Sequence, residues 1–360
     1  MKAMHRRGTR NGLLLLALLL LLAGCGAKAE NGGSGAADEA GAAPDNGKAA
    51  GAAADKPLEK VKVVLDWTPN TNHTGLYVAR DKGYFKAHGL DVEIVQPGDA
   101  GADQMVASGA AEFGVSYQEG ITQARIQGVP IVSIAAVIQH NTSGFASPAA
   151  KNIKEPKDFE GRTYGGWGSP AEEAVIASLM QEQGADPGKV KIVTSGETDF
   201  FTSVKKDIDF AWIYYAWTGV EAELRGEPIN MIYLTDYTDK LDYYTPVLAT
   251  SEKMIGEKPE LVRAFMAAAA EGYQFAIDHP GEAADVLIAA EPDLNAKLVK
   301  ASQKWLSPKY KADAPRWGEQ KLEVWQNYAA WMKEHNLLEK ELDAEKAFTN
   351  EFLPKAQEEQ

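Results

Sequence analysis

The chain has a single cysteine in 360 residues, Cys25. One thiol cannot close an intrachain disulfide or supply a Cys-x-x-Cys pair, so the fold must be stabilised by its apolar core. The six histidines are scattered and form no His-Glu-x-x-His, and no Gly-x-Ser-x-Gly elbow occurs. Carboxylates are plentiful, but nothing in their spacing singles out an acid–base pair. Basic residues are the minority, 37 Lys and Arg against 51 Asp and Glu, for a net charge of −14. Phosphate contact needs clustered Lys and Arg, so nucleic-acid binding is excluded. The acidic balance speaks for solubility and says little about fold. No catalytic residue, metal site or cofactor is expected, and the chain reads as a non-enzyme.

What is present begins at the amino terminus. Lys2, Arg6, Arg7 and Arg10 precede an apolar run over 13–23, and Leu22-Ala23-Gly24-Cys25 follows directly. A basic start, a short apolar core and small residues before a processing point make a secretory signal over 1–24. The run is shorter than the about 20 residues of a spanning helix. Leu-Ala-Gly-Cys also resembles the lipobox of bacterial lipoproteins, which implies that Cys25 is lipid-modified and becomes the mature terminus. Two acyl chains anchor stably where one does not. The implied diacylglyceryl group holds the protein on the extracytoplasmic face of a cell membrane and leaves no free thiol. Without the four basic residues of the signal, 33 Lys and Arg face 51 Asp and Glu, a net charge of −18. Residues 26–55 hold 12 Ala and 7 Gly, with no Leu, Ile, Val, Met or aromatic residue. Such a segment cannot offset its ordering entropy by burial. It reads as a tether of roughly 30 Å, so 25–57 is expected to be a lipid-anchored linker.

From Val61 the pattern becomes an alternation of strands and helices. Strands are expected at 61–65, 90–95, 112–116 and 131–137, with helices at 73–82, 103–108 and 119–127. A second series follows the Pro- and Lys-containing stretch 147–159. It has strands at 162–165, 190–194, 208–213 and 229–234, with helices at 170–183, 200–206 and 217–225. This order predicts an α/β fold with mainly parallel sheets flanked by helices, in two lobes of about 90 residues each. One more strand, 246–250, precedes a helical tail whose Trp residues read as core or interlobe packing.

In open parallel sheets, ligands bind beyond the carboxyl ends of the strands. After the first strand comes Asp66-Trp67-Thr68-Pro69-Asn70-Thr71-Asn72-His73, and after the third Tyr117-Gln118-Glu119. The second series offers Gly166-Trp167-Gly168 and Tyr214-Tyr215-Ala216-Trp217. Aromatic residues stand at all four places beside amides and carboxylates. Flat rings with such neighbours suit a planar, nitrogen-rich heterocycle, although carbohydrate sites use aromatic platforms too. Plainer roles compete at several positions. Asp66 is a candidate helix cap, His73 a satisfied polar residue, and Trp212 a buried strand residue. Ser169-Pro170-Ala171-Glu172 matches a capping box, which makes Glu172 structural. Glu172 and Glu173 also put negative charge where a phosphate would sit, which excludes a nucleotide-phosphate loop there.

The run VVLDWTPNTNHTGLYVARDKGYFKAHGLDVEIVQP resembles the opening of type II periplasmic binding proteins. ASGAAEFGVSYQ, VPIVSIAAVIQHNTSG, IDFAWIYYAWTG and DYYTPVLA continue the likeness from Lys60 to the carboxy terminus. DWTPNTNH with WIYYAW is the more specific signature, similar to the branch that binds pyrimidine precursors of thiamine. That branch includes the formylaminopyrimidine-binding transport proteins and the fungal hydroxymethylpyrimidine synthases. The resemblance implies a monomeric, lipid-anchored receptor that hands a small aminopyrimidine to the permease and ATPase subunits of an ABC importer. It implies two lobes joined by crossovers near 143–148 and 242–246. The first lobe would be discontinuous, 58–146 with 246–355, and the second would span 147–245. By the same likeness, Trp67, Asn72, His73 and Tyr117 line the cleft from one lobe, and Trp167, Tyr214, Tyr215 and Trp217 from the other. Glu119, Asp66 or Glu221 is expected to accept from the ring's exocyclic amine. A flavin-like heterocycle and a sulfonate are the alternatives, and a diverged synthase is a third. The synthases' cysteine-rich iron-binding stretch is absent here. Cys25→Ser is expected to release the protein from the membrane or block its processing, with ligand affinity unchanged. Membrane fractionation and calorimetry of that variant check both halves.

Overall fold

The computed structural model describes residues 57–98, 100–196 and 198–355. The expected signal peptide, Cys25 and the linker up to residue 56 lie outside the described residues. No helix among the described residues is long and apolar enough to cross a membrane.

Ten strands form two five-stranded sheets. The first contains β1 (Glu59–Val64), β2 (Leu90–Val95), β3 (Phe113–Ser116), β4 (Ile131–Ala136) and β10 (Val247–Ser251), in the order β2-β1-β3-β10-β4. The second contains β5 (Ser143–Pro148), β6 (Thr163–Gly166), β7 (Lys191–Thr194), β8 (Phe210–Tyr214) and β9 (Ile229–Tyr233), in the order β7-β6-β8-β5-β9. The strand positions follow the apolar pattern. In β1, Val61 and Val63 are buried while Lys60 faces out, and all six residues of β4 are buried.

The sheets are mainly parallel, as expected, with one reversed strand in each. β1 runs parallel to β2 and β3, but β10 is antiparallel to β3 and β4. Likewise β6 runs parallel to β7 and β8, but β5 is antiparallel to β8 and β9. The stretch 143–148, expected as a crossover, is β5 itself, a full strand of the second sheet. The chain changes sheets just before it, over residues 137–142, and returns over 234–246. A link of six residues spans at most about 20 Å. It can only enter the second sheet at the nearest strand end, so β5 must run away from the gap. That direction is opposite to the strands whose carboxyl ends face the gap.

Each sheet has its own core. Phe113 stacks on Phe265 of helix Pro259–Asp278 at 3.8 Å between ring centres. In the second sheet Phe145, Phe159, Tyr164 and Phe210 interlock, with Phe159 and Phe210 stacked at 4.1 Å. The tail is shared between the two. Helix Leu322–Glu334 buries Trp325 beside Tyr244 and Val247, and places Tyr328, Trp331 and Met332 in the second core. Phe348 then bridges to Ser133, and Phe352 and Leu353 rejoin the first core. Both tryptophans are packing residues, as the sequence suggests.

Helices Thr74–Asp81 and Pro259–Asp278 cross at two glycines. A Cβ on Gly75 would lie 2.3 Å from the Tyr273 ring, and one on Gly272 would lie 2.1 Å from the Gly75 carbonyl oxygen. Overpacking typically costs about 1–3 kcal/mol. Gly75→Ala is expected to cost at least about 2 kcal/mol in chemical denaturation. Gly256→Ala, with nothing within 4 Å, is the control expected to stay neutral. Equal stability of the two variants would contradict the close crossing.

Candidate functional site

Large aromatic side chains seldom stay in water, because burying one contributes about 1.5–3 kcal/mol. Among the described residues four do stay exposed: Trp67 at 46%, Tyr117 at 45%, Trp167 at 48% and Tyr214 at 41%. Each stands at the carboxyl end of a strand, after β1, β3 and β6 and at the end of β8. Two belong to each sheet, and Tyr214 of the second lies within the electrostatic reach of Glu119, Asp66 and Tyr117 on the first sheet's side. The Tyr214 phenol is pushed up to about 12, first by burial of its hydroxyl end, with Thr245 opposing. The charges of Glu119 and Asp66 and the Tyr117 phenol, all from the first sheet's side, raise it further. A recess of about 540 Å³ elsewhere is lined by Lys60, Lys62, Asp91, Glu93 and Glu112 on the β1–β2 surface. Val61, Val92 and Ala110 complete its walls, which carry no ring.

The loop after β1 is held from behind. Asn70 caps a short turn, accepting the Asn72 N–H at 2.9 Å, while His73 Nδ1 accepts the Asn70 N–H at 3.2 Å. That bond assigns the proton to His73 Nε2, which donates to Asp66 Oδ1 at 2.7 Å. His73 is fully buried and both ring nitrogens are engaged, so it orients Asp66 and does not reach the gap. Asp66 is not the cap of this turn; Asn70 is. The Thr71 and Ser302 hydroxyls pair at 2.7 Å, the Tyr310 hydroxyl donates to the Thr71 carbonyl, and that of Tyr273 donates to the Asn72 carbonyl at 2.8 Å. The Asn72 side-chain amide makes no hydrogen bond among the described residues.

The loop after β6 is fixed by Glu172. Its carboxylate accepts the backbone N–H groups of Trp167 (3.1 Å), Gly168 (2.7 Å) and Ser169 (2.8 Å), and the Tyr164 hydroxyl. The expected capping box is present at Ser169, so Glu172 is structural. Gly166 makes room for it, since a Cβ there would sit 2.1 Å from Glu172 Oε1. Trp212 is buried in β8 and meets Trp167 edge-on at 5.5 Å.

Three expected site residues turn elsewhere. Tyr215 opens a π-helical turn, lies 5.1 Å from Trp305 of helix Ala296–Lys311, and donates to Glu223. Trp217 packs against the first core. Glu221 accepts from Arg225 one helical turn on, at 2.8 Å.

Other residues enter that sequence reasoning missed. Asp103, on helix Gly101–Ser108, is raised by burial, with Ser116 opposing and the Asp66 charge adding. Its carboxylate lies near Tyr117, because a Cβ on Gly120 would touch both. Only its place in the first helical turn marked it, and ordinary dipole-complementing acids share that place. Tyr328 is a lowering influence on the Glu119 carboxyl and stacks on Tyr243 at 4.1 Å. Glu119 itself is raised to about 7, mainly by burial and then by the Glu172 charge, against Tyr328 and the Gln123 hydrogen bond. Neither Asp103 nor Glu119 has a Lys or Arg partner among the described residues. No group of three or more metal-capable side chains occurs among them.

Residues 70–283 match the NMT1/THI5-like family. The chain belongs to that family. It is 32% identical over 304 residues to a formylaminopyrimidine-binding protein of Halalkalibacterium halodurans, covering 82% of this chain and 91% of that protein. It is 24% identical over 302 residues to a 4-amino-5-hydroxymethyl-2-methylpyrimidine phosphate synthase of Legionella pneumophila, covering 82% and 92%. The fold is that of periplasmic binding proteins. The aliphatic sulphonate binding protein SsuA of Escherichia coli superposes with a TM-score of 0.63 at 13% identity, covering 80% of this chain and 97% of that one.

Glu119 carries a stability signature. Its folded value of about 7 lies above the ordinary 4.5, so ionising it costs stability. That cost is absent below about pH 4.5 and complete above about pH 7. Glu119→Gln is therefore expected to stabilise the ligand-free protein at pH 8, by no more than about 3 kcal/mol, with little change at pH 5. Thermal denaturation at the two pH values checks it. A variant destabilised at pH 8 would contradict the buried carboxylate.

Proposed function

We propose that the protein is the substrate-binding protein of an ABC importer and captures a small, flat aminopyrimidine between its two lobes. The observation that carries this reading is the set of four solvent-exposed rings, two from each sheet, at facing strand ends. In a soluble protein such a cluster is otherwise a liability. Trp67 and Tyr117 from one side and Trp167 and Tyr214 from the other form the walls. Stacking a heterocycle on such rings contributes about 1–3 kcal/mol per ring.

Asp66, Asp103 and Glu119 supply acceptors for an exocyclic amine, and the Asn72 amide adds a group that both donates and accepts. Tyr215, Trp217 and Glu221 serve outside the cleft, the first two in packing between the lobes. The first lobe is assigned the first sheet and most of the tail, and the second lobe the second sheet. Cys25 anchors the receptor to the membrane beside its permease and ATPase partners, where it works as a monomer.

A sulfonate is the poorer fit. Anions want cations and open helix amino termini, whereas the amino terminus at Pro170 is filled by the protein's own Glu172 carboxylate. A synthase is poorer still, because His73 is enclosed and fully engaged. The family resemblance to the formylaminopyrimidine-binding relative supports the choice of ring.

Calorimetry with formylaminopyrimidine tests the assignment. Trp67→Ala and Trp167→Ala are each expected to weaken binding at least tenfold, since about 1.4 kcal/mol is a factor of ten and stacking supplies that much. Unchanged affinity in both variants would remove the stacking argument. Tighter binding of riboflavin or an alkanesulfonate by the wild type would reassign the ligand.

A further inference from the structure

Three stretches of chain pass between the two cores near one another. They are the crossovers 137–142 and 234–246 and the connection 312–321. The last joins helix Ala296–Lys311, whose Val299 and Leu306 lie in the first core, to the helix that carries Tyr328 and Trp331 into the second. One side chain touches all three. His140 sits in the first crossover, with Nδ1 2.6 Å from Asp242 Oδ2 in the second and Nε2 2.9 Å from Asp313 Oδ1 in the connection. Around it the two crossovers are tied again. The other Asp242 oxygen accepts the Asn141 N–H at 2.8 Å, and the Asn141 amide donates to the Leu241 carbonyl at 2.9 Å. A neutral imidazole has one N–H, and carboxylates only accept. Both His140 bonds therefore form together only on the imidazolium.

We propose that His140 is a protonation-dependent pin of the interlobe hinge. Charged, it fixes the two crossovers and the 312–321 connection in the arrangement observed; neutral, it lets one aspartate go and the hinge loosens. This rests on the reading of the molecule as a receptor that closes on its ligand.

The neighbours favour the charged form. The Asp242 hydrogen bond is the largest influence, burial opposes it, and Asp313 adds to it, so His140 is pushed up to about 9. The other charged groups near the pin are already engaged. Lys321 Nζ lies 3.9 Å from the second Asp313 oxygen, and Glu319 pairs with Arg316 at 2.9 Å. Lys309 Nζ covers the Trp305 ring at 3.9 Å, and the Tyr244 hydroxyl accepts the Lys321 N–H at 2.9 Å. Of these groups only the imidazole has an ordinary value near neutrality. The folded value is raised, so the tie is complete below about pH 6.5 and is lost as pH climbs through about 9.

The test uses the full chain in detergent. Ring titration by NMR without ligand is expected to place His140 near 9, and Asp313→Asn is expected to lower it. A wild-type value near 6.5, or no response to Asp313→Asn, would overturn the pin. Calorimetry with formylaminopyrimidine between pH 8 and 10 is the second readout. The wild type is expected to lose affinity at least threefold, and His140→Gln to start weaker and stay flat. A His140→Gln profile parallel to the wild type would overturn the proposal. Should that variant fail to fold, Asp313→Asn, which alters an exposed side chain, carries the same comparison. A wild type that ignores formylaminopyrimidine while His140 titrates near 9 would sink the ligand assignment and leave the pin standing.

Discussion

The architecture depends on one constraint: the chain changes sheets through a link of only six residues. Strand β5 must begin where β4 ends, at the gap, and run outward from it. Strand β10, reached by the longer return over 234–246, is also reversed, antiparallel to β3 and β4. Each sheet therefore holds one reversed strand paired on both sides, Ser143 opposite Tyr214 and Val247 opposite Ser116. The parallel strands beside them point their carboxyl ends into the same gap. The two sheets thus face each other with their loop-bearing ends, and functional side chains on those loops need no further device to converge.

Convergence alone does not make a recognition surface, because exposed loops are mobile. Here the backbone of each ring-bearing loop is held while the ring stays open to solvent. Tyr273, Tyr310 and Ser302 fasten the turn after β1 from the tail helices. Glu172 gathers three consecutive N–H groups after β6. His73 spends both ring nitrogens inside the protein so that Asp66 is aimed. Fixing these groups before a ligand arrives lowers the ordering cost of binding. The half-buried carboxylate of Glu119, without a Lys or Arg partner among the described residues, is the counterpart in electrostatics: ionising it costs stability.

Much of this was legible in the residues. The strand-end positions of Trp67, Tyr117, Trp167 and Tyr214, all exposed, were readable from the order of strands and turns alone. The Ser169–Glu172 capping box was readable because its chemistry is local. Strand β5 was not, since Ser143-Gly144-Phe145-Ala146-Ser147-Pro148 has the composition of a turn and becomes a strand only by pairing on both sides. Tyr215 and Trp217 misled for the opposite reason. They follow β8 as the others follow their strands, but the π-helical turn carries them toward helix Ala296–Lys311. Asp103 comes beside Tyr117, and Tyr328 beside Glu119, by tertiary packing alone, from helices whose local pattern carries no mark of it. The crossovers looked like plain connectors, although His140 and Asp242 sit in them.

Under the proposed function, closing lobes clasp a conjugated ring between two pairs of aromatic walls, with carboxylates at its rim. A crystal structure grown with formylaminopyrimidine tests that directly. The account predicts planar density between Trp67 and Tyr117 on one side and Trp167 and Tyr214 on the other, with an amine facing Asp66, Asp103 or Glu119. Density elsewhere, or rings withdrawn into the lobes around an empty gap, would contradict it.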